Sequence, residues 1–134
     1  EKPDTDVNSS LRGRETILLI EDEEAVRSLT SRFLQQLGYT VITAAGDAEA
    51  IRQVEQHPEP IALVITDVVM PGLGGRKLAE CLTRARPGLK VLFISGYTDD
   101  AIIRHGVSAA DVAFLSKPFT VEALAARVRH TLDA

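Results

Sequence analysis

Residues Ile61 to Gly75 read IALVITDVVMPGLGG, and the fold turns on how that stretch is parsed. Ile61 to Thr66 is continuously apolar or β-branched, Asp67 follows at once, and Met70-Pro71-Gly72 then breaks the chain. A short apolar run bounded by turn formers is the pattern of a strand buried on both faces, as in a parallel sheet. Asp67 is thereby expected at the carboxyl end of a strand, the edge at which open α/β sheets place their ligands. A turn aspartate that caps the next helix is the plainer reading, and this stretch alone leaves it open.

Working outward, the same alternation recurs on both sides. Thr16 to Ile20 (TILLI) predicts a strand ending in Glu21-Asp22-Glu23-Glu24, whose carboxylates suit the positive end of a following helix. That helix carries Val26, Leu29, Thr30, Phe33, Leu34 and Leu37 at three- and four-residue spacings, and Gly38 closes it. Thr40 to Ala44 predicts a second strand. A helix from an Asp47 N-cap through Gln56 comes next and stops at His57-Pro58-Glu59-Pro60. Beyond the central stretch, a helix is expected over about Gly75 to Ala85, with Cys81 in its core beside Leu78 and Leu82. Strands over Lys90 to Ser95 and Val112 to Ser116 flank a short helix over Asp99 to His105, and Thr120 caps a final helix to Leu132. Five β-α alternations imply right-handed crossovers and a parallel, doubly wound α/β sheet covered by helices on both faces.

Composition narrows the function. The chain has 134 residues, 45% hydrophobic and 25% charged, which suits one soluble domain. A net charge of -4 without a Lys/Arg cluster argues against nucleic acid. No apolar run is long enough to span a membrane, so no membrane contact is expected of this domain. A single cysteine excludes an internal disulfide and fits a reducing, cytoplasmic setting. Residues 1 to 14 are polar and offer no periodic apolar face, so they are read as a linker or tail ahead of a domain over residues 15 to 134. The chain begins at Glu1 and its only methionine is Met70, so a fragment of a longer protein is expected.

Four of the five expected strands end in a polar group: Glu21 and Asp22, Asp67, Ser95, and Lys117. In a parallel sheet those ends share one edge. Three carboxylates gathered there repel by roughly 4 kcal/mol per close pair at an effective dielectric near 20, so a cation belongs among them. A hard divalent ion such as Mg²⁺, which takes few protein oxygens, is the economical choice. Lys117 supplies a point charge for a phosphate or carboxylate oxygen, and Ser95 a hydrogen bond.

With the runs IEDE, ITDVVMPGLGG, FISG and FLSKPF at these strand ends, the chain resembles a response-regulator receiver domain of two-component signalling over about residues 15 to 133. The resemblance implies a flavodoxin-like sheet of order 2-1-3-4-5 with five helices. It implies Asp67 as phosphoacceptor, Glu21, Asp22, Asp67 and the Val69 carbonyl as Mg²⁺ ligands, Ser95 and Lys117 as phosphoryl-oxygen ligands, and Ser95 and Phe114 as the switch pair. Glu21 stands where Asp is usual and Phe114 where Tyr is frequent. The expected partner is a histidine kinase or a histidine-containing phosphotransfer domain, docking on Ala25, Val26 and Leu29, with the domain itself a monomer or weak dimer. The expected parent is a hybrid sensor histidine kinase, and a stand-alone regulator is the alternative. A Mg²⁺-dependent aspartyl phosphatase resembles Asp-x-Asp, whereas Val69 occupies the second position here. An inactive interaction module is at odds with a complete acceptor, acid pair and lysine.

Overall fold

The computed structural model describes residues 12–67, 74–95, 113–116 and 119–134, excluding the side chains of Ser95, Ala113, Phe114 and Ser116. Five strands, β1 (Thr16–Ile20), β2 (Thr40–Ala44), β3 (Leu63–Asp67), β4 (Lys90–Ser95) and β5 (Ala113–Ser116), form one sheet of order β2-β1-β3-β4-β5. Every pairing is parallel. Four helices are present among the described residues: α1 (Glu24–Gln36), α2 (Asp47–Gln56), α3 (Gly75–Ala85) and α4 (Val121–Asp133). The helix expected over Asp99 to His105 lies outside the described residues.

Why β1 is apolar at every position follows from which way its side chains point. Ile17 and Leu19 face one side, where Leu34 and Leu37 follow from α1 and Leu124 and Val128 come from α4. Leu18 and Ile20 face the other, against Ala50 and Val54 of α2 and Leu78 and Leu82 of α3. β3 divides its residues in the same way, Leu63 and Ile65 to the first side and Val64 to the second. A strand with a helical layer on both faces needs an apolar residue at every step.

Local chemistry sets the element ends. Ala62 already donates to Thr16 O at 2.9 Å and accepts from Lys90 N at 3.2 Å, so the pairing of β3 extends to the residue before Leu63, and Ile61 is buried in the second core. Gly46, not Asp47, is the N-cap of α2: Asp47 opens the helix, accepting from Ala48 N at 2.7 Å, and Glu49 reaches back to Ala45 N at 2.9 Å. A first-turn carboxylate thus does the work expected of a capping side chain. Thr120 does cap α4, accepting from Ala123 N at 3.0 Å. Gly38 ends α1 at φ 104°, and a Cβ there would lie 2.5 Å from Gly13 O, so both conformation and space require glycine.

Cys81 is exposed, contrary to its expected core position. On α3 the buried row is Leu78, Ala79 and Leu82. At 3.6 residues per turn, Cys81 sits about 110° round from the middle of that row. Sharing three-residue spacing with Leu78 was not enough to bring it inward.

Two arginines tie loop backbone down. Arg86 donates to Val54 O at 3.0 Å, to Glu59 O at 2.8 Å and to His57 O, binding the carboxyl end of α2 to the end of α3. Arg129 of α4 donates to Glu15 Oε2 at 2.7 Å, Asp133 Oδ1 at 2.8 Å, Tyr39 Oη at 3.2 Å and Arg12 O at 3.1 Å. Gly13 N adds a bond to Leu37 O at 3.2 Å, so the backbone just before β1 is held against the domain.

The Arg129 guanidinium, outweighing the opposing effect of burial, holds the Glu15 carboxyl down at about 2. An unfolded Glu titrates near 4.3, so folding gains from the ionised form. That gain is complete above about pH 4.5 and disappears as the pH falls toward 2. Solvent reaches about a third of the Glu15 side chain, which limits the contribution to about 1 kcal/mol. Glu15→Gln is expected to lower the urea midpoint at pH 7, and the gap from the wild type should close toward pH 2. A gap that persists undiminished at pH 2 would show that the carboxylate charge is not its source.

Candidate functional site

The register places Ile20 opposite Thr66, so the next residues, Glu21 and Asp67, leave the carboxyl edge side by side. Ligand oxygens from Glu21, Asp22 and Asp67 all lie within 4.8 Å of one another. Glu21 is 5% exposed, Asp22 is exposed, and Oδ1 of Asp67 is buried. At that separation each pair of charges repels by about 3 kcal/mol at an effective dielectric of 20. The donor set is all oxygen, half-buried and open to water on the Asp22 side, which fits a hard divalent cation.

Glu21 is held along its whole length. Its N–H donates to Ala44 O at 3.0 Å, carrying the β1–β2 ladder one residue past β1. Its Oε2 accepts from Glu23 N at 3.2 Å, and its carbonyl accepts from the Arg27 guanidinium at 2.7 Å. Asp67 has its own brace, since Thr66, fully buried, donates from Oγ1 to Asp67 O at 3.2 Å. The sequence reading gives neither Arg27 nor Thr66 a role in the site. For Arg27 the only available signal is a basic residue five positions past Asp22, which looks like any exposed helix arginine until the turn is folded.

The other expected site residues are placed by backbone. Asp67 pairs with Ile94 and Ser95 with Ser116, so the ends of β3, β4 and β5 lie along one edge, with Ser95 next to Asp67's neighbour and Lys117 directly following Ser116. Phe114 pairs with the buried Phe93 on β4. The side chains of Ser95 and Phe114, and all of Val69 and Lys117, lie outside the described residues. Of the expected partner face, Ala25 is exposed, Val26 is half-buried and Leu29 is 68% exposed.

A parallel five-stranded α/β sheet with an acidic cluster at its carboxyl edge defines the class, and the sequence agrees: residues 17–129 match the response regulator receiver domain, and the chain belongs to that family. It is a receiver domain of a two-component phosphorelay. Among its relatives, the sensor kinase CckA of Brucella abortus (strain 2308) is 41% identical over 125 residues, which is 93% of this chain and 13% of the kinase. The response regulator receiver protein CpdR of the same organism is 34% identical over 118 residues, 88% of this chain and 97% of CpdR. A crystal structure of the receiver domain from the hybrid histidine kinase CckA superposes with a TM-score of 0.73 at 38% identity, covering 87% of this chain and 98% of that one. The chain thus spans about an eighth of one relative and almost all of the other.

Proposed function

We propose that Asp67 is the residue that takes the phosphoryl group, from a phosphohistidine on a histidine kinase or a histidine-containing phosphotransfer domain. The observation that carries this reading is the convergence of the Glu21, Asp22 and Asp67 carboxylates at one sheet edge. In the transfer, an Asp67 carboxylate oxygen bonds to phosphorus while the phosphorus–nitrogen bond to the donor imidazole breaks, and the imidazole nitrogen keeps the electron pair. Asp67 needs no proton removed, so the protein's task is alignment and charge compensation. Glu21, Asp22, Asp67 and the Val69 carbonyl would hold Mg²⁺, which when bound neutralises phosphoryl charge. Ser95 and Lys117 would bind the remaining phosphoryl oxygens, and Ser95 and Phe114 would form the switch.

Incubation with acetyl phosphate and Mg²⁺ should give a single phosphate adduct by intact mass, and none with chelator present. In Asp22→Ala, Mg²⁺ binding should weaken by at least tenfold, because the ion loses a ligand charge. Unchanged affinity in isothermal titration would remove Asp22 from the metal site.

The docking surface would be the row Ala25, Val26 and Leu29. α1 starts two residues after Asp22, so a helix laid on this row would bring its histidine beside Asp67. Leu29 also borders an apolar groove of about 300 Å³ that continues over Phe33, Phe119, Val121 and Leu124. Val121 is 49% exposed there. Such an anchor-lined groove suits an amphipathic helix. Leu29→Glu is expected to slow phosphotransfer from a histidine-bearing partner about tenfold, while acetyl phosphate still labels the variant and stability moves by less than about 0.5 kcal/mol. Equal loss with both donors would move the defect from docking to the reaction itself.

The parent chain is proposed to be a hybrid sensor histidine kinase, on the strength of the CckA likeness, with a stand-alone regulator favoured instead by the full-length match to CpdR. The setting proposed is cytoplasmic, with the domain monomeric or weakly dimeric. No helix among the described residues is long and apolar enough to cross a membrane.

A further inference from the structure

We infer that Arg27 is a positioning residue for the acidic site: by pinning the Glu21 carbonyl it sets the direction in which the carboxylates of Glu21 and Asp22 leave the β1–α1 turn. The inference rests on the metal reading above and deepens it.

The turn between Ile20 and Glu24 has only three residues, and two of them carry the acid pair. Its backbone is therefore the frame of the site. Among the described residues, these bonds hold it: Glu21 N to Ala44 O at 3.0 Å, Glu23 N to Glu21 Oε2 at 3.2 Å, Arg27 N to Glu23 O at 2.9 Å, and the Arg27 guanidinium to Glu21 O at 2.7 Å. Two of these join main-chain groups on both sides, and a third uses the carboxylate of Glu21 itself. The fourth depends on a side chain that reaches from the first turn of α1 back to the carbonyl of Glu21. It has a charged donor and is the shortest of the four, which marks it as the strongest of the set. With the carbonyl pinned on one side of the Glu21–Asp22 peptide, rotation of that peptide is blocked, and both carboxylates start from fixed Cα–Cβ directions.

Arg27 brings a positive charge as well as a brace, and the two roles predict opposite signs. A nearby cation that acts only through its charge weakens Mg²⁺ binding, so its removal tightens it. A brace that preorganises the ligands strengthens binding, so its removal loosens it, in the way that groups supporting metal ligands do when mutated. Arg27→Ala is expected to bind Mg²⁺ about tenfold more weakly by isothermal titration at low temperature, with Arg27→Lys, which keeps the charge but not the planar fork, between it and the wild type. In metal-free protein the Glu23 amide should exchange its hydrogen at least tenfold faster in Arg27→Ala, since its acceptor carboxylate loses its fixed backbone. Alanine favours helix, so α1 should be retained by circular dichroism.

Equal or tighter Mg²⁺ binding in Arg27→Ala, with wild-type binding measurable, overturns the positioning role and leaves the metal reading standing. A wild type that binds no Mg²⁺ overturns both. Looser binding with unchanged Glu23 exchange also overturns the role, because it places the effect outside the turn.

Discussion

Asp67→Asn should show no phosphate adduct after incubation with acetyl phosphate and Mg²⁺, under conditions in which the wild type is labelled. The substitution changes shape little, because an amide replaces a carboxylate on the same carbon skeleton. It removes the proposed nucleophile outright: an amide oxygen carries no full charge, and the acyl phosphate cannot form on it. It also removes one of the three charges that the acidic edge gathers within 4.8 Å. The expected loss is therefore complete. Adduct of undiminished intensity in the variant would place the phosphoryl group elsewhere and end the assignment of Asp67.

The second large effect concerns the sheet that carries Asp67. Leu63 opens β3, four residues before Asp67, and is fully buried between Ile17 of β1 and the α4 side of the core. Leu63→Ala removes a buried isobutyl group from a place that backbone pairing on both sides prevents from collapsing. The expected cost is about 3 kcal/mol, or a fall in melting temperature on the order of 10 °C. Urea denaturation measures it, and a cost below about 1 kcal/mol would show that the layers close over the gap. Because Leu63 lies at the far end of the strand from Asp67, labelling by acetyl phosphate at low temperature should survive.

Much of this was legible from periodicity alone. Both β2 and β4 have the bounds their patterns predict, as does α3 between the glycine run and Pro87. Local signals such as apolar runs, turn formers and caps act within a few residues, and those are what a single sequence displays. The order of strands depends on which strands pair across long connections, which no local pattern encodes; it came through the family resemblance and agrees with the pairings seen. The errors have the same origin. Asp47 looked like a cap because aspartate favours that position, yet Glu49 was also in reach of the free N–H groups and Gly46 could adopt the extended cap conformation. Cys81 looked buried because three-residue spacing alone does not fix the azimuth of a helix. The acid pair and Asp67 were visible as carboxylates at strand ends, whereas Arg27 acts through a carbonyl, and a carbonyl leaves no mark in a sequence.

The sheet divides the interior into two separate cores, with α1 and α4 on one side and α2 and α3 on the other. The groove at Leu29 and Val121 belongs wholly to the first of these layers. Substitutions on that face therefore bear on the layer of Leu34, Leu124 and Val128, and the sheet stands between them and the α2–α3 layer. If the proposed docking face is the real one, such a partition makes the domain divisible for evolution: partner choice could drift on one side while the other side keeps the scaffold, and both sides meet at the edge that carries Asp67.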